Sequence, residues 1–268
     1  MNRRAFRRLF SRSFRTGMLD SRETRPAPRV SDRSTLQGLS KQPPNTNRDG
    51  RSNATLEIAV LRRRLIRAQV DTVMALVAAV EAKDPYTEQH SVNVPLYAEA
   101  IARAMRLSAR ETEVIKIAAL LHDCGKIGVQ DSILTKPGPL TTEEFALVKQ
   151  HPEIGAAILR SATYLRRELP LVLYHHERYD GTGYPAGLKG NAIPLGARIL
   201  NVADSLDAMM YPRSYKRALD PDEAASELVN CSGRQFDPEV AEVALRWMKN
   251  HPEELITDSM RAPLCGIL

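Results

Sequence analysis

The chain has 268 residues, with 38 Lys plus Arg against 32 Asp plus Glu, a 5% aromatic share and three cysteines. That length supports one substantial core, and no apolar run reaches membrane-spanning length. The odd number and wide spacing of Cys124, Cys231 and Cys265 exclude a disulfide framework and fit a reducing compartment.

The net charge of +6 is local. Residues 1–55 hold 13 of the basic and 4 of the acidic residues, so the remainder carries 25 basic against 28 acidic. This Arg-, Ser-, Pro- and Asn-rich stretch reads as a disordered basic tail. Its first turns differ: Phe6, Leu9, Phe10 and Phe14 share a helical face, with Arg3, Arg4, Arg7, Arg8, Arg12 and Arg15 around it. Such a segment suits an anionic membrane surface or nucleic acid. Arg3-Arg4 resembles a twin-arginine signal, but no apolar segment follows, which argues against export. The expected location is cytoplasmic, with the tail as the route to the inner membrane.

From Leu56 the pattern becomes helical through residue 83. Ile66, Val70, Val73, Val77 and Val80 step by four, three, four and three, which fits either a homodimer seam within 56–83 or a face packed on the domain. The helix should stop at Asp84-Pro85. No receiver or sensor pattern is recognisable before it, so regulation is expected from a partner or from the tail.

Helices then recur over about 93–107 and 111–121. Thr141 and Glu144 have capping-box spacing for a helix reaching His151, where Pro152 opens another. Further helices are expected over about 164–176 and 195–210, and Asp220-Pro221 and Asp237-Pro238 read as N-caps followed by proline. No alternating strand series is present. The fold class is all-α: a helical bundle over 84–252, with 253–268 a C-terminal tail.

Five histidines, His90, His122, His151, His175 and His176, fall at or near ends of these helices. Asp123 adjoins one of them, and the 195–210 helix carries Asn201, Asp204 and Asp207. Inward-facing groups from several helices are how bundles build metal sites, and imidazole with carboxylate suits Fe, Mn or Zn better than Ca or Mg. Adjacent His175 and His176 diverge by about 100° on a helix, so they serve one site only from a helix end or from different sides. Cys124 reads as a small buried hydrophobe.

His122-Asp-Cys-Gly-Lys126 and His175-His-Glu-Arg-Tyr-Asp-Gly-Thr-Gly-Tyr-Pro185, with His90 before and Asp204 after, resemble the HD superfamily of metal-dependent phosphohydrolases, specifically its HD-GYP subfamily. The resemblance covers about residues 70–245. It implies an HD-superfamily bundle and a phosphodiesterase that hydrolyses cyclic di-GMP to pGpG and often GMP. It assigns His90, His122, Asp123 and Asp204 to one metal, and His151, His175 and His176 to a second that Asp123 bridges. The cofactor set is therefore two divalent ions, Fe or Mn, with a hydroxide held between them as nucleophile; two metals about 3.5–4 Å apart stabilise both attacking and leaving oxygens. Lys126 is implied beside the metals, to neutralise a phosphate oxygen or protonate the leaving group. Arg213 and Lys216 match phosphate-contacting positions, and Asp180, Gly183 and Tyr184 belong to the rim of the substrate site. Asp207, one turn beyond Asp204, is expected to support rather than ligate.

Two departures from the family pattern matter. A glutamate that supports a third metal in some members is Tyr86 here, which favours two metals. The common Arg-Pro-Tyr is Arg213-Ser214-Tyr215, which loosens a substrate-holding loop. The other readings are hydrolysis of another cyclic nucleotide, and a cyclic di-GMP-responsive module whose partners include GGDEF-domain cyclases.

Overall fold

The computed structural model describes residues 47–83, 87–211 and 217–255, with side chains described from Leu56 onward apart from Thr87 and Glu88. The basic tail over 1–46, Asp84 to Tyr86, the segment holding Arg213 and Lys216, and residues 256–268 with Cys265 lie outside that range. The described residues fall into two compact units, one up to residue 75 and one from residue 76 onward. The described part of the smaller unit is purely helical.

The first helix, α1, runs Asn47–Lys83, so it begins nine residues before the expected start at Leu56. Along it Leu56, Ile58, Leu61 and Leu65 are exposed, while Val77 and Val80 are buried in the larger unit. The C-terminal part of the anticipated apolar seam therefore packs within that unit, and the exposed apolar residues lie on other positions.

Helix α2 spans Thr87–Ala104 and α3 spans Ala109–Leu121. Helix α2 starts six residues earlier than the apolar spacing suggests, which puts His90 in its first turn. It ends where Arg106 takes a left-handed conformation, φ 60°, closed by the Leu107 N–H donating to the Ala102 carbonyl at 3.1 Å. Helix α3 opens on a capping box, with Ser108 and Glu111 each accepting from the other's backbone N–H. A 3₁₀ turn follows at Cys124–Gly128.

After the short α4 (Asp131–Leu134) come α5 (Thr142–Val148), carrying the expected Thr141–Glu144 capping box, and α6 (His151–Leu159), opened by Pro152. The single helix expected over 164–176 is two pieces, a 3₁₀ turn at Thr163–Leu165 and α7 at Leu169–Tyr174. Pro170 explains the break, because it suits a first turn and disrupts a helix interior. Helix α8 is Leu195–Met210, α9 is Pro221–Cys231, α10 is Pro238–Asn250 and α11 is Pro252–Leu255. Asp220 and Asp237 cap α9 and α10 as their sequences require. The described residues contain no strand beyond an isolated bridge, Ser232 to Phe236.

Helices α2, α3 and α8 pack on one another to form the core of the larger unit. Ile101, Leu121, Ile199 and Leu206 are fully buried there, each contributing about 1.5–3 kcal/mol relative to exposure. Helix α6 lies against the Cys124–Gly128 turn, and α7 against α6, α3 and α8. Every histidine noted above is thereby carried toward one region.

Candidate metal centre

Three of the five histidines sit where a helix ends. Carbonyls of a last turn have no intrahelical partner, and each of these imidazoles uses one. His122 Nδ1 donates to the Ala119 carbonyl at 2.8 Å, His151 Nδ1 to Val148 at 2.7 Å, and His175 Nδ1 to Val172 at 2.7 Å. His90, in a first turn, donates instead to Asp207 Oδ2 at 2.8 Å. These partners are acceptors only, so each Nδ1 carries a proton and each Nε2 is the nitrogen left facing the other rings.

The Nε2 atoms converge. His90 and His122 approach at 3.1 Å, and His151 and His175 at 3.4 Å. Asp123 stands between the two pairs: Oδ2 lies 3.5 Å from both His90 and His122, and Oδ1 lies 3.5 Å from His151. Asp204 Oδ1 is 3.7 Å from His90 and 4.0 Å from His122. The ring of His176 lies 4.0 Å from that of His175 and 5.0 Å from that of His151, centroid to centroid. Potential ligand atoms of His90, His122 and Asp204 fall within 4.8 Å of one another, as do those of His151, His175 and His176.

Ring nitrogens brought this close in buried space need a proton or a metal cation among them. This donor set, imidazole nitrogens with two carboxylates, therefore fits divalent metal. The electrostatics agree. Asp123 is buried, which opposes ionisation, yet Lys126, His122, His90 and His151 hold its carboxyl well below the usual range. Burial lowers the pKa of His90, but its hydrogen bonds to Asp123 and Asp207 and the charges of Asp204 and Asp123 more than reverse this, raising it to about 10. Burial, followed by neighbouring histidines, pushes His175 and His176 well below 6.5.

Lys126 Nζ lies 2.8 Å from Asp123 Oδ2, which places a cation at the edge of the site. Tyr184 stacks on His176 with ring centroids 4.9 Å apart, and Lys149 Nζ sits 5.4 Å from the Tyr184 ring. Asp180 has local partners: Oδ1 accepts from the Thr182 backbone N–H at 2.9 Å and its hydroxyl at 2.6 Å, and Arg178 lies 3.7 Å away. Gly183 is fixed by close approach, because a Cβ there would meet Arg178 N at 2.2 Å. Arg213, Lys216 and Tyr86 lie outside the described residues. Cys124 is buried against Gly155, and its thiol pKa is raised to about 12 by burial and the Asp123 charge.

Several supporting residues carry no role in the sequence reading. Glu177, almost fully buried, accepts from the backbone N–H of Ala186 at 2.7 Å and of Leu188 at 3.0 Å, tying the glycine-containing loop to the His175-His176 pair. Asn201 donates to the His175 and Glu177 carbonyls at 2.9 and 3.3 Å. Gly125 lets the 3₁₀ turn touch α6, since a Cβ would lie 1.8 Å from the His151 carbonyl oxygen. Asn93 had one available signal: it lies three residues after His90, on the same helical face.

Residues 74–240 match the family model of the HD domain. The cyclic di-GMP phosphodiesterase response regulator RpfG of Xanthomonas campestris pv. campestris is 42% identical over 178 residues, covering 66% of this chain and 47% of that protein. A cyclic di-GMP phosphodiesterase of Thermotoga maritima is 43% identical over 183 residues, covering 68% of this chain and 48% of that protein. The chain thus spans about half the length of these curated relatives. The crystal structure of the cyclic GMP-AMP-specific phosphodiesterase V-cGAP3 of V. cholerae superposes with a TM-score of 0.53 at 22% identity, covering 71% of this chain and 51% of that one. That likeness bears on the fold.

Proposed function

The chain belongs to the HD-domain family, in its HD-GYP branch, and on that premise we propose that it is a metal-dependent phosphodiesterase that opens cyclic di-GMP to linear pGpG. The observation carrying this reading is the placement of Asp123, one oxygen toward His90 and His122 and the other toward His151. A single carboxylate set between two groups of imidazoles suits a pair of divalent ions. His90, His122 and Asp204 would hold one, and His151, His175 and His176 the other, with Asp123 shared. Nitrogen and carboxylate donors suit Fe or Mn at these positions better than Ca or Mg.

Such ions supply Lewis acidity toward a phosphate oxygen and lower the pKa of water. The chain's own residues supply the rest. Lys126, held on Asp123, brings positive charge to the phosphate as negative charge builds there. Tyr184, backed by His176, offers an aromatic face at the rim for a purine, and Gly183 keeps the loop close enough to present it. Asp180 braces that rim through Thr182. Arg213 and Lys216 are assigned to the outer phosphate, Arg213 by its fork and Lys216 as a point charge. As to partners, the exposed Leu56, Ile58, Leu61 and Leu65 support a homodimer through 56–83.

The test is direct. Anaerobically purified protein loaded with Mn(II) or Fe(II) should convert cyclic di-GMP to linear product, separated by chromatography. Asp123→Ala should abolish turnover, and cyclic GMP-AMP should compete poorly. Metal-loaded protein that yields no linear product sinks the proposal, and tight cyclic di-GMP binding without turnover would favour a binding module instead.

A further inference from the structure

The two halves of the cage are not chemically alike. His122, His151 and His175 each rest their Nδ1 proton on a neutral backbone carbonyl. His90 rests its own on a carboxylate, Asp207 Oδ2 at 2.8 Å. The other oxygen of Asp207 accepts from Asn93 Nδ2 at 2.7 Å, and Asn93 Oδ1 accepts in turn from Gln89 Nε2 at 3.0 Å. Asp207 and Asn93 are buried at 3% and 1% exposure, so water competes little for these bonds.

A carboxylate behind an imidazole fixes the tautomer and raises the basicity of the opposite nitrogen more than a neutral carbonyl does. Position in the helix explains why only His90 needs one. In a first turn the carbonyls point toward the helix C-terminus and are taken by later N–H groups, so no local acceptor is free. The half that receives this stronger donor also holds both Asp204 and Asp123 Oδ2 within 4.0 Å of its imidazoles. Among the described residues, the half formed by His151, His175 and His176 has only Asp123 Oδ1 that close, on His151.

We infer that Asp207, oriented by Asn93, is a positioning residue that makes the His90–His122–Asp204 half the tighter of the two cation sites, so that ions load in order, that half first. This rests on the two-cation reading proposed above.

Metal-free full-length protein titrated with Co(II), followed by calorimetry and visible absorption, tests it. The wild type should take two ions in two resolved steps. Asp207→Asn keeps the size but removes the charge and confronts the Asn93 amide with a second donor. It should weaken the first step by about 10–100-fold and leave the second unchanged. Asn93→Ala should weaken the same step by less, and it decides the matter if Asp207→Asn fails to fold by circular dichroism. Variants whose two steps match the wild type, or whose steps weaken equally, overturn the role of Asp207. A wild type with two ions bound in one indistinguishable step overturns ordered loading but spares the two-cation reading. A wild type that takes fewer than two ions overturns both.

Discussion

His90 and His122 aim their Nε2 atoms at each other across 3.1 Å, although the Nδ1 proton of each ring is already committed elsewhere. In the metal-free fold the proton that His90 retains to about pH 10 occupies that gap, and a bound cation takes its place.

Divalent ions should therefore act as folding ligands. At a free concentration one hundred times Kd, a single site adds about 2.7 kcal/mol. Calorimetry with Mn(II) should show a rise of several degrees in Tm that chelator reverses, and His122→Ala should remove most of it. A Tm indifferent to Mn(II) and chelator would contradict the cage.

Acid should weaken the metal-free protein. Burial is the leading cause that holds His151 below 6.5 and His175 and His176 well below it, so the unfolded chain binds more protons than the folded one once pH falls past 6.5. Stability contributed by these three is intact above 6.5 and declines as pH falls below it. His90 runs the other way: its folded pKa of about 10 gives stability that is full below 6.5 and fades as pH climbs toward 10. Urea melts of stripped protein from pH 5 to 10 should show an interior maximum, and metal uptake should fall off on the acid side, where protons compete for imidazole.

Gly183 and Gly190 give a matched comparison. A Cβ at Gly183 meets backbone atoms at 2.2 to 2.6 Å, whereas at Gly190, φ 56°, the nearest atom is 4.0 Å away. Gly190→Ala should cost about 1 kcal/mol of left-handed strain. Gly183→Ala must displace backbone, at about 1–3 kcal/mol or more, and should lower turnover as well. Equilibrium denaturation of both variants checks the order.

Glu177 accepts two backbone N–H groups in near-complete burial. Glu177→Ala leaves both without a partner, at about 1–3 kcal/mol each. Hydrogen exchange should speed up at Ala186 and Leu188 while amides in α3 and α8 keep their protection.

Lys126 tests chemistry apart from assembly. Lys126→Met should reduce kcat by about 100-fold or more while two ions per chain remain bound by elemental analysis. Loss of metal in this variant would instead assign the lysine to holding Asp123.

Much of this was legible in the sequence because the decisive residues are costly to bury. Five histidines at or near helix ends, with Asp123 beside one of them and Asp204 on a later helix, admit few bland explanations, and the capping box at Thr141 marks its helix through short-range chemistry, whereas the equivalent box at Ser108 went unread. The break before α7 was hidden, since Leu165 and Leu169 continue an apolar spacing that Pro170 interrupts only by favouring a new first turn. Glu177 was hidden for a different reason: its partners are backbone amides nine and eleven residues on, and amides leave no trace in residue identity. The link between His90 and Asp207 joins positions 117 apart, which no local periodicity registers.

The imidazoles that follow α3, α5 and α7 inherit their aim from where each helix stops. One residue inserted into such a helix would swing its terminal ring by about 100°. Lineages of this chain should thus accept many exchanges of one side chain for another inside those helices, yet almost no change in their length.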